Sequence, residues 1–148
     1  MGGRVAVANR LRPRFVAAFA IVAALLLTGC SEQQLELIDR INATRAEHDL
    51  PALKPHPSPM AKAQAWAETM AADGDLRHSE LSDGITGEWK VIGENVGYSG
   101  DIPTVHQAFI DSPGHRANIL DERFNWVGTG YAESPDGRIW AVQIFVQY

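Results

Sequence analysis

Few side chains in this chain can do chemistry: five histidines, one cysteine and eighteen acidic residues. Two histidines and a carboxylate brought together form a ligand set for zinc, with water in an open fourth position. The same three groups could equally form a hydrogen-bonded structural cluster. Spacing alone assembles no such set. His78 falls in an expected loop, Glu94 comes sixteen positions later and His115 opens another element, so only the fold could unite them. Taken singly, each reads as a surface or capping residue. His48 and His56 flank the turn after the first helix and His106 sits on an exposed helix face, so these three read as solvated side chains. There is no glycine-rich phosphate loop, and no serine or cysteine has a nucleophile signature.

His115 lies in the first turn of a short helix opened by Ser112-Pro113. A positive charge there opposes the helix dipole and favours neutral imidazole, the form a metal needs. A nearby Glu94 would favour the charged form instead. The expectation is a neutral ring at pH 7. Glu94 itself could be a ligand or a base that activates water; the alternative, which is preferred, is a loop cap that accepts backbone N–H bonds. Asn95, Arg116 and Asn118 read as loop and helix supports, the last two tying the short helix to a sheet.

Cys30 offers different chemistry. Arg4, Arg10, Arg12 and Arg14 precede an apolar run from Phe15 to Leu27. That run is shorter than the roughly 20 residues a membrane span needs and fits a secretory leader. It ends in Leu27-Thr28-Gly29-Cys30, which resembles the lipobox of bacterial lipoproteins. The expected division is a signal peptide over 1–29, a lipidated cysteine with a short tether over 30–34, and one domain over 35–148. Stable anchoring takes about two acyl chains, which a diacylglyceryl group on Cys30 supplies. The expected location is the extracytoplasmic face of the cell membrane. Four of the thirteen basic residues lie in the leader, leaving nine against eighteen acids and a formal charge of −9 for the rest. No basic cluster is present, which argues against nucleic acid as a partner. No second cysteine exists to form an internal disulfide.

The positioning elements follow from periodicity and punctuation. Leu35, Leu37, Ile38 and Ile41 predict a helix over about 33–48. Ser58 and Pro59 open a second, with Met60, Ala63, Ala67 and Met70 inward, and Gly74 closes it. Residues 75–88 read as loop and 89–97 as a short strand. Asp101 caps a third helix with Val105, Ala108 and Phe109 inward, and a fourth runs from Ser112-Pro113 to near Leu120. Trp126–Ala132 and Ile139–Tyr148 flank the turn Ser134-Pro135-Asp136-Gly137. The last strand is apolar on both faces, which places it centrally in a covered sheet. The aromatic residues Trp66, Trp89, Trp126, Trp140 and Phe145 read as core. Helices followed by late antiparallel strands suggest an α+β, three-layer α-β-α sandwich.

Several segments are similar to one family. They are Ile41-Asn42-Ala43-Thr44-Arg45, Leu76-Arg77-His78-Ser79, Gly93-Glu94-Asn95-Val96-Gly97, Ser112-Pro113-Gly114-His115-Arg116-Ala117-Asn118-Ile119-Leu120, Val127-Gly128-Thr129-Gly130-Tyr131-Ala132 and Trp140-Ala141-Val142-Gln143-Ile144-Phe145. In this order they resemble the CAP superfamily, also called the SCP domain family, in its bacterial branch. The resemblance implies the α-β-α sandwich with a mainly antiparallel sheet, and a shallow cleft where His78, Glu94 and His115 meet. Eukaryotic members add a second glutamate where this chain has Ser112. The family's helix tryptophan stands here as Phe109, and Asp49 replaces a glycine common in bacterial relatives. Two functions are expected in order. The first is a cell-envelope binding or scaffold module for a wall polymer, lipid or protein. The second is a metal-dependent hydrolase using His78, Glu94 and His115, with zinc as the metal.

Overall fold

The computed structural model describes residues 30–148. The expected leader over 1–29 lies outside them. Helix α1 (Glu32–Ala46) is opened by Ser31, whose Oγ accepts from Gln34 N–H while the Gln34 side chain accepts from Ser31 N–H. This reciprocal box satisfies two otherwise orphaned donors. Residues 31–34, expected as tether, are therefore the cap and first turn of α1. Leu37, Ile38 and Ile41 are buried as expected, but Leu35 is 46% exposed, and Gln34 takes the inward position. After α1, Leu50 N–H bonds to Arg45 C=O and Asp49 N–H to Ala46 C=O. These crossed bonds make a Schellman turn, whose left-handed residue is Asp49 at φ 57°.

Strand β1 (Lys54–Pro55) is a two-residue element not expected from the sequence. Helix α2 (Pro57–Asp73) is capped by His56, not Ser58: the His56 ring accepts from Ser58 N–H at 3.3 Å. Ser58 Oγ instead donates to Gly84 C=O and accepts from Thr86 N–H, pinning the long loop. Gly74 ends α2 in the left-handed conformation at φ 69°. Residues 75–88 form no helix or strand. Strand β2 (Val91–Ser99), helix α3 (Ile102–Asp111), helix α4 (Pro113–Leu120), strand β3 (Trp126–Glu133) and strand β4 (Ile139–Gln147) complete the chain.

The sheet order is β1-β3-β4-β2, with β1 parallel to β3 and the other pairs antiparallel. The α+β fold expected from the sequence is present, with the two-faced β4 inside the sheet. Ile139, Ala141 and Phe145 join the core under α1, α3 and α4, with Leu37, Ile41, Val105, Phe109 and Ile119. Trp140, Val142, Ile144 and Val146 join the core under α2, with Ala63, Ala67 and Met70.

Gly128 and Gly130 explain how closely α2 lies on β3. A Cβ on Gly128 would stand 2.0 Å from the Pro59 backbone, and one on Gly130 2.0 Å from the Ala63 carbonyl oxygen. Only glycine permits such backbone approach. The free edge of β3 beyond β1 is covered by side chains. Gln64 donates to Tyr131 C=O and accepts from Tyr131 N–H, while Gln34 donates to Thr129 C=O. Covering an edge in this way blocks pairing with another chain.

Several side chains depart from expectation. Ala108 is exposed and His106 is buried between α3 and α1, its Nε2 3.0 Å from Thr44 Oγ1. His56 is half-buried and packs against Trp126 and Tyr148. Trp89 is 40% exposed, and Trp66 and Trp126 are partly buried, while Trp140 and Phe145 are fully buried.

Candidate functional site

The site forms at the β2 edge of the sheet. Alternation along β2 turns Glu94 toward the α2 face and Asn95 toward the opposite face, because they pair with Ile144 and Gln143 respectively. The Glu94 side chain is 1% exposed. Its Oε1 accepts from His78 Nδ1 at 2.7 Å and from Ser79 N–H at 2.9 Å, and its Oε2 accepts from Ser79 Oγ at 2.6 Å. A carboxylate so buried needs such partners. Glu94 thus fastens the 75–88 loop to the sheet, as a cap would. Ser79 belongs to the Leu76-Arg77-His78-Ser79 segment but carried no role in the sequence reading. Its hydroxyl and amide supply two of the three bonds.

His78 is 59% exposed in its side chain, with Nδ1 held by Glu94. His115 sits in the first turn of α4, half-buried, with its ring edge-on to Phe109 at 5.2 Å. Burial lowers its pKa from the usual histidine value, and the charge of His78 lowers it further. The ring is therefore favoured as neutral, in the direction expected. The leading cause is burial, which the sequence did not anticipate.

Asn95 is fully buried and holds α4 against the sheet. Its Nδ2 donates to His115 C=O at 3.1 Å and to Gln143 Oε1 at 2.9 Å. Asn118 Nδ2 donates to Asn95 Oδ1 and to Glu94 C=O. Arg116 does not reach the sheet: it is exposed, with its guanidinium 3.1 Å from His48 Nε2 at the end of α1. Ser112 joins α3 to α4 without a side-chain capping bond and brings no carboxylate to the cleft.

Two further residues were given no role in the sequence reading, although Arg45 closes the 41–45 segment. Lys62 on α2 donates to Glu80 C=O at 2.6 Å. Burial lowers its pKa, against the attraction of Glu94, Asp83 and Glu80. Arg45 is fully buried and clamps α1 to the end of α4, donating to Pro51, Ile119 and Asp121 carbonyls.

Zinc needs lone pairs aimed at one point. Both oxygens of Glu94 and one nitrogen of His78 are already engaged with each other and with Ser79. Among the described residues no group of three or more His, Cys, Asp and Glu side chains is placed to hold a metal ion. The expected set of His78, Glu94 and His115 does not fit a three-ligand zinc site in this arrangement.

The fold agrees with that of known proteins. Residues 38–148 match the cysteine-rich secretory protein family, CAP, and the chain belongs to that family. It is 29% identical over 122 residues to the uncharacterized protein YkwD of Bacillus subtilis, covering 76% of this chain and 47% of that protein. The chain thus spans about half the length of that relative. An extracellular SCP-domain protein from Bacillus anthracis superposes with a TM-score of 0.67 at 25% identity, covering 78% of this chain and 40% of the other. The venom allergen-like protein 4 of Schistosoma mansoni superposes with a TM-score of 0.69 at 14% identity, covering 80% and 90% of the respective chains.

Proposed function

We propose that this chain is a lipid-anchored CAP module of the cell envelope, held at the extracytoplasmic face by a diacylglyceryl group on Cys30. Its task is to bind a wall polymer, not to hydrolyse one. The observation that carries the reading is the state of Glu94. Its carboxylate is 1% exposed and accepts three bonds from His78 and Ser79, so water has no open approach to it as a base. With Ser112 at the remaining acidic position, the cleft offers no free carboxylate beside the His78 and His115 rings. The exposed Cys30 beside the cap of α1 suits an anchor, and the Bacillus anthracis relative is described as extracellular.

The test is sedimentation of the purified protein with isolated cell wall, beside the His78→Ala and His115→Ala variants. Binding retained by both variants supports the module. Release of soluble wall fragments that stops on chelation would replace this reading with the metal-dependent hydrolase.

A further inference from the structure

An open groove of about 710 Å³ lies beside Cys30, which itself forms part of the wall. Pro57, Met60 and Ala61 of α2 and Pro55 of β1 make most of the rest. Gln34, Gln64 and His56 complete the lining, so no acidic or permanently charged side chain borders it. In a domain of net charge −9, an uncharged apolar groove is unusual, and this one opens where the leader ends. Ligand sites of this kind are concave and mostly apolar with a few polar groups.

We infer that this groove seats the glycerol-proximal methylenes of the lipid carried by Cys30. The inference rests on the proposed lipidation of that residue. The thioether would start at the groove wall, so a chain returning along α2 pays no search for its site. These first methylenes gain apolar contact with Met60, Ala61 and the two prolines where they would otherwise cross water and the polar headgroup layer, while the distal parts of both chains stay in the bilayer. The domain is then held against the membrane in one orientation, with the α2 N-terminus toward the bilayer.

The experiment uses the full-length protein made in cells fed a diazirine fatty acid, irradiated in their membranes and digested. Intact mass first reports the diacylglyceryl group on Cys30. Its absence would overturn the lipoprotein reading and this inference together. With the group present, the expected product is the Cys30 lipopeptide joined to the peptide holding Pro57–Gln64. Ala61 is exposed, so Ala61→Glu should fold with an unchanged melting temperature and lower this product at least fivefold. Cross-links from free membrane lipid alone, or a yield indifferent to Ala61→Glu, would overturn the groove while leaving the anchor intact.

Discussion

Glu94→Gln separates a structural carboxylate from a reactive one. The glutamine oxygen can take the place of Oε1, accepting from Ser79 N–H and His78 Nδ1 as before. Its NH2 then faces Ser79 Oγ, which can turn to accept. The geometry survives, but the charge that strengthens three bonds is lost. Bonds to charged groups contribute about 1.5–3 kcal/mol and neutral ones about 1, a loss of about 0.5–2 per bond that the relief of burying a charge partly offsets, so Glu94→Gln should cost about 1–2 kcal/mol in all. Glu94→Ala removes all three acceptors. His78 is exposed and rehydrates, while half-buried Ser79 does so poorly, giving a cost of about 2–3 kcal/mol. Urea unfolding followed by tryptophan fluorescence reads both values. Hydrogen exchange at Ser79 N–H reads the local loss, and wall sedimentation should be unchanged for Glu94→Gln. If both variants unfold within about 0.5 kcal/mol of the parent, the range of ordinary surface changes, Glu94 is not holding the loop and the argument for a committed carboxylate fails.

Three other outcomes follow from the packing. Gly130→Ala should destabilise by about 3 kcal/mol or more, since its Cβ meets backbone at 2.0 Å, whereas Gly100→Ala, with open space, should stay within about 0.5; denaturation midpoints compare them. Asp49→Gly should stabilise by about 0.5–1 kcal/mol by relieving a side chain at φ 57°, read from the melting temperature. Burial lowers the pKa of His106 below the histidine norm, with Arg40 adding and Glu47 opposing. The unfolded chain then binds the proton first, so this stability is full above the unfolded value near 6.5 and is lost as pH falls below it. Melting temperatures at pH 7.5 and 5.5 should differ less for His106→Gln than for the parent.

The two-faced β4, the turn before it and the caps at Asp101 and Gly74 were legible because local chemistry decides them. The inward stripes were legible only where they were apolar. In α1 the buried residues run Gln34, Leu37, Ile38, Ile41, Arg45, and in α3 they run Ile102, Val105, His106, Phe109. Both follow helical spacing with polar members included. Hydropathy assigns those members to solvent and substitutes Leu35 or Ala108. Strict phasing would have placed Gln34, Arg45 and His106 inside. Strand β1 was invisible because two residues carry no period, and its pairing with β3 is set by tertiary contact. The site was legible in its residues but not in its bonds. Nothing in the spacing shows that Ser79 would claim both oxygens of Glu94.

The reciprocal bonds between Gln34 and Thr129 have a mechanical consequence. Gln34 donates to Thr129 C=O at 2.9 Å and Thr129 Oγ1 donates back to Gln34 C=O at 2.8 Å. Tension applied at residue 30 reaches this rivet within four residues, before it can unwind α1. The load passes into β3 and, through Gln64, into α2. The domain should therefore resist a pull at its amino end as one block, with force spread across the sheet instead of peeling the first helix away.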